Sequence, residues 1–96
     1  MTQDTQKTTV VFRKEKDGDI VAVFPYDIAD WRGSMTCYSH VGQHSSMRVD
    51  YYKDTSPAYP MQYERLLKEL ESIGYNLEIK TRVQWSRVHD ALNSII

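Results

Sequence analysis

Residues 8–24 read TTVVFRKEKDGDIVAVF. The first six, Thr8 to Arg13, are rich in β-branched and aromatic side chains, which suit a pleated strand. Asp17-Gly18 then marks a turn, because glycine takes a positive φ at no steric cost and aspartate tolerates one. Ile20 to Phe24 supplies a second strand, so the stretch is a β-hairpin. That second run is apolar throughout, as expected of a central strand covered on both faces.

Outward from the hairpin, Pro25 is expected to end the strand and Tyr26 to Ser34 to form a loop. Met35 to Val41 alternates, with Met35, Cys37, Ser39 and Val41 on one face and Thr36, Tyr38 and His40 on the other, which predicts a third strand. Gly42 to Tyr59 is long for a structureless connection. It reads as a functional loop, with a short strand at Met47 to Tyr52. In Pro60 to Ile73, Tyr63, Leu66, Leu67, Leu70 and Ile73 recur at the spacing of one helical face. Pro60 suits the first helical position, Gly74 the position just past the end, and Tyr75 is placed to pack back on the last turn. Asn76 to Val83 alternates again and predicts a strand with Leu77, Ile79, Thr81 and Val83 on one side. Trp85 to Ile96 returns to helical spacing, with Ser86 as a candidate N-cap. Its stripe of Trp85, Val88, Leu92 and Ile95 docks either on its own sheet, or on a partner or a second copy, the last of which would make a homodimer.

The predicted order is β-β-β-(β)-α-β-α. It gives an α+β fold with an antiparallel or mixed sheet of four to five strands and helices on one face. At 96 residues this is one domain, residues 8–96, behind a polar, patternless tail at residues 1–7. A core of this size leaves no large internal chamber, so any site is expected in a shallow cleft or on the surface. The net charge of −1 argues against duplex binding driven by charge alone. One cysteine excludes an internal disulfide, and no apolar run approaches a membrane span. With no apolar signal core at its start, the chain is expected in the cytoplasm, away from membranes.

Taken together, Phe24-Pro25, Thr36-Cys37, His40-Val41-Gly42-Gln43-His44 and Glu71-Ser72-Ile73-Gly74-Tyr75 resemble a family of short uncharacterised proteins found in bacterial phages, plasmids and integrated elements. The resemblance runs from about Val10 to Leu77. It implies an origin on a mobile element, where accessory proteins often inhibit host defences or host enzymes. It implies no known activity. In that family an Ala-Thr-Pro-like run opens the helix and the threonine caps it. Here Ala58-Tyr59-Pro60 stands instead, so the cap is lost or moves to Ser56.

Cys37, His40 and His44 form C-x2-H-x3-H. A thiolate and two imidazoles suit zinc, with Asp50 or His89 as a fourth ligand, and the same residues could make a Cys–His nucleophilic pair. On one strand, however, Cys37 and His40 would face opposite ways. The simpler expectation is a buried thiol with both histidines hydrogen-bonding the loop, and no metal or other cofactor. Asp27, Asp30, Asp50 and Asp54 lack the EF-hand spacing and read as solvated loop carboxylates. Trp31, Arg32, Arg48, Tyr51 and Tyr52, with Lys53 and Tyr38 nearby, mix cations with aromatics. That mixture serves a protein interface or single-stranded nucleic acid, and tyrosines on strands also simply build sheets.

No phosphate loop, nucleophile elbow or zinc-protease motif is present. The reading that follows is a small non-enzymatic interaction protein of a phage or mobile element that binds a host protein, for example as an anti-CRISPR-like inhibitor. Its expected binding surface is Trp31, Arg32, Arg48, Tyr51 and Tyr52. The alternatives are a single-stranded nucleic-acid-binding accessory protein, or an enzyme centred on Cys37, His40 and His44.

Overall fold

A computed structural model of the chain describes residues 7–30, 33–39 and 43–93. Trp31, Arg32, His40, Val41, Gly42, Ile95 and nearly all of the expected tail lie outside the described residues. The hairpin forms as its sequence dictates. Strand β1 (Thr8–Lys14) pairs antiparallel with β2 (Ile20–Ile28), with Val11 opposite Val23. Gly18 closes the turn at φ +95°, and the Asp17 carboxylate accepts from the Asp19 N–H at 3.0 Å.

Strand β3 (Met35–Ser39) adds to β2, and β4 (Gln43–Met47) adds to β3. A short helix, α1 (Val49–Lys53), leads to β5 (Ser56–Pro57). Helix α2 (Pro60–Ser72), strand β6 (Leu77–Ile79) and helix α3 (Trp85–Asn93) complete the order. The antiparallel sheet runs β4-β3-β2-β1-β5, and β6 pairs parallel with the start of β1, beside β5 on the same edge.

The central strands bury alternate residues in two cores. Val10, Phe12, Ala22, Phe24 and Tyr38 meet Leu66 and Leu70 of α2 on one face. Val11, Val21, Val23, Met35 and Cys37 meet Met47 and Tyr52 on the other. Phe12 stacks on Tyr63 at 4.1 Å between ring centroids, and Phe24 on Tyr75 at 5.1 Å. Helix α2 ends in a Schellman motif: Tyr75 N–H reaches the Leu70 carbonyl, Gly74 N–H reaches that of Glu71, and Gly74 takes φ +110°.

Several expectations are corrected. The helices lie on both faces of the sheet, because α1 and α3 cover the second core while α2 covers the first; Trp85 meets Tyr52 edge-on at 5.5 Å. Strand β2 runs through Pro25 to Ile28. The register against β3 slips between Phe24 and Ile28, and this bulge absorbs a residue that has no N–H to give. Residues 47–52 do not form a strand: β4 ends at Met47 and α1 begins at Val49. Asp50 in the first turn of α1 and Lys53 in the last suit the helix dipole. Strand β6 stops at Ile79, since Leu77 packs on the first core and Val83 on the second. A chain that rounds the sheet edge between those residues cannot be one straight strand. Ser86 sits inside α3 and does not cap it. Val88 is buried, and Leu92 lies 3.4 Å from where a Cβ on Gly33 would stand, so the described part of the α3 stripe docks on its own chain.

Candidate protein-interaction site

Cys37 and His44 do not come together. Cys37 opposes Ser45 across the β3–β4 pair and Tyr38 opposes His44, so the thiol and the imidazole occupy opposite faces of the sheet. The Cys37 sulfur lies 3.2 Å from the Ser45 hydroxyl, and burial pushes the thiol pKa up, away from the thiolate a nucleophile or zinc ligand needs. His44 Nε2 lies 2.7 Å from the Tyr75 hydroxyl, and its ring meets Tyr38 edge-on at 4.8 Å. Tyr38 in turn donates to Glu69 of α2. Phe24, Tyr75, His44 and Tyr38 form one cluster that ties the sheet to the end of α2. Among the described residues no group of three His, Cys, Asp or Glu stands close enough to hold a metal ion.

The expected binding surface is divided. Tyr52 is only 6 % exposed and belongs to the second core, beneath the Arg13 guanidinium at 4.5 Å from the ring. Arg13 also donates to the Thr55 hydroxyl at 2.8 Å and to its carbonyl at 2.7 Å, pinning the chain just after α1. Arg48 and Tyr51 are exposed. Arg48 sits 3.5 Å from Asp50, and the Tyr51 hydroxyl donates to Glu15 at 2.5 Å, which raises its pKa to about 12. Trp31 and Arg32 lie outside the described residues. Of the loop carboxylates, Asp30 accepts from Ser34 N–H at 3.2 Å and Asp54 caps α1 at its C-terminus.

A different surface emerges at the start of α2. Tyr59 occupies the N-cap with no side-chain cap bond to the helix backbone. The helix is closed from the other side, by Gln62 Oε1 accepting from Tyr59 N–H at 2.8 Å. Ser56, in β5, takes no part in this cap. Met61, in the first turn, is 93 % exposed and Tyr59 is 67 % exposed. Pro60, Met61, Tyr63, Glu64 and Leu67 line a shallow groove of about 350 Å³. Its inner wall, Tyr63, is the ring stacked on Phe12, so the shelf is anchored in the core.

This shelf works against the helix that carries it. Serine, threonine, aspartate and asparagine are the good N-caps, worth about 1 kcal/mol over a residue that cannot cap. Acids are favoured in the first turn by the dipole, yet α2 has none there. Two large apolar side chains stand in water where small polar ones would stabilise the fold. Natural proteins break such local rules mainly at functional or strained sites. The tyrosine in place of the expected threonine cap was visible in the sequence, but not its exposure or that of Met61.

No family model matches this chain, no curated protein matches it, and no solved structure matches it.

Proposed function

We propose that this protein is a non-enzymatic interaction module that binds a protein partner through the Tyr59–Met61 shelf at the start of α2. The observation that carries this reading is the exposed pair itself, placed where the helix would gain from polar residues. Tyrosine and methionine are enriched at protein interfaces, and methionine adapts its shape to a partner. A shallow groove anchored on Tyr63 suits a flat or convex apolar partner surface better than a small substrate. The resemblance to mobile-element proteins favours a host protein in the bacterial cytoplasm as the partner, with inhibition of a defence nuclease as its concrete form. No helix among the described residues is long and apolar enough to cross a membrane.

The test is affinity capture from host lysate with the wild type and with a Tyr59→Ser, Met61→Glu double variant. Both substitutions suit the helix start, so the variant keeps its fold, as circular dichroism will show. A partner held by the wild type and reduced by about tenfold or more with the variant, equivalent to about 1.4 kcal/mol, supports the shelf. A partner held equally by both removes it.

A further inference from the structure

We infer that a cationic groove between the start of β1, the 78–84 segment and α3 binds the phosphate backbone of a single-stranded nucleic acid. The groove shares no lining residue with the apolar shelf. Its main part is a cleft of about 550 Å³ lined by Lys80, Arg82 and Arg87, with the Thr9 and Thr81 hydroxyls between them. A smaller cleft of about 190 Å³ shares Thr9, Tyr26 and Arg87 with it and adds Lys7. The shared walls make a continuous track rather than a closed pocket, and a track fits a strand better than a lone nucleotide.

The cations are placed for anion capture. The Arg87 guanidinium carbon lies over the Tyr26 ring, 4.0 Å from its centroid. The Tyr26 hydroxyl accepts from Gln84 N–H at 2.8 Å, which fixes the ring under it. A guanidinium held over a ring by cation–π attraction is partly ordered in advance and loses less freedom on binding a phosphate. Neither Arg82 nor Arg87 has a carboxylate within ion-pair distance among the described residues. Lys80 has one, Glu78 at 3.8 Å, and that pair is exposed. Asp27 is the groove's other carboxylate, at the far end. Four cations against two acids give a local excess of two positive charges in a chain whose net charge is −1. The N-terminus of α3, nine residues long, opens beside the same cleft and adds its positive end.

The test is fluorescence anisotropy with a labelled oligothymidylate at salt from about 50 to about 200 mM, where backbone contacts declare themselves by slope. Three or four phosphate contacts give a slope of log K against log salt of about −2 to −3, at about −0.7 per contact on a single strand. Arg82→Glu is expected to weaken binding by about tenfold or more and to flatten the slope by about 0.7 or more. Lys68→Glu, the same charge change on the outer side of α2, is expected to leave both nearly unaltered. Arg87→Gln provides a second groove variant, and thermal melts confirm that all three fold. The inference is overturned if the wild type does not bind the oligonucleotide at the lowest salt, or if Lys68→Glu weakens it as much as Arg82→Glu. It is also overturned if duplex DNA binds as tightly, or if ATP binds and the oligonucleotide does not.

Discussion

Replacing Met61 with glutamate should make this protein more stable, although it removes a large apolar side chain. At 93 % exposure Met61 has almost no buried area to lose. Methionine and glutamate have nearly equal helix propensity. The gain comes from placing a negative charge in the first turn of α2, which has none, and is about 0.3 to 1 kcal/mol. Side-chain pairing adds little. Arg65, four residues on, attracts the new carboxylate, and Glu64, three residues on, repels it by a similar amount. For a domain of this size 1 kcal/mol moves Tm by about 4 to 8 °C, so the expected rise is about 1 to 8 °C. Calorimetry in low salt measures it, and the rise should shrink in about 1 M salt, where the Debye length falls to about 3 Å. A fall in Tm would refute the reasoning by showing that Met61 packs against something in the folded protein. A rise that persists undiminished in high salt would show that the dipole is not its cause.

Other perturbations probe the rest of the fold. Leu70, fully buried between α2 and the sheet, should cost about 2 to 5 kcal/mol when changed to alanine, measured by urea denaturation; a loss below about 1 kcal/mol would mean that the first core collapses around the gap. Arg13→Gln should cost about 1 to 3 kcal/mol, because it removes the donors to Thr55 and the cation over Tyr52. Thermal melts read that loss, and an unchanged Tm would make the Arg13 contacts idle. Stability should fall as pH rises. The Glu15 hydrogen bond raises the pKa of Tyr51, and burial raises those of Cys37, Tyr52 and Tyr75. The unfolded chain therefore starts to lose protons near the ordinary thiol value of 9.0 and phenol value of 10.0, while the folded chain keeps them. The stabilisation is complete below pH 9.0 and is lost on the way to about 12, where Tyr51 ionises in the folded protein. Urea midpoints across that range check the sign, and a flat profile would contradict it. Cys37 should react with a thiol reagent far more slowly in the folded than in the unfolded protein, which absorbance at a chromogenic disulfide will follow.

Elements governed by local chemistry were legible in the sequence. The hairpin around Asp17-Gly18, the buried run Val21–Phe24 and helix α2 with its Gly74 terminus follow from turn residues, propensity and period. Elements governed by tertiary context were not. Pro25 continues a strand because a bulge excuses its missing N–H, and a bulge leaves no mark in a single sequence. Residues 47–52 alternate and also repeat at three, so only the packing of Val49 and Tyr52 on the second core decides for a helix. Tyr52 falls out of the expected binding surface for a related reason. Composition shows that Tyr52 is aromatic and near cations, but not that the nearest cation, Arg13, is 39 positions away in the chain and seals it into the core. The groove around Arg87 was hidden because its parts come from residues 7–9, 26 and 78–87, which only the fold brings together.

The two short strands that share one edge of β1 give the order of assembly an unusual dependence on the order of synthesis. Strand β1 is made first, yet its outer edge is closed by residues 56–57 and 77–79. Until residues 77–79 have emerged, half of that edge presents bare peptide groups and Val10 lacks Ile79 beside it. Nascent protein therefore carries an open, β-branched strand from the time β1 emerges until residues 77–79 follow it. Such a strand can add to any other exposed edge. A chain interrupted after α2 would keep its hairpin, α1 and α2 but would lack α3 over the second core and carry that adhesive strand permanently, so truncated products should be removed by aggregation or proteolysis rather than accumulate as smaller folded domains.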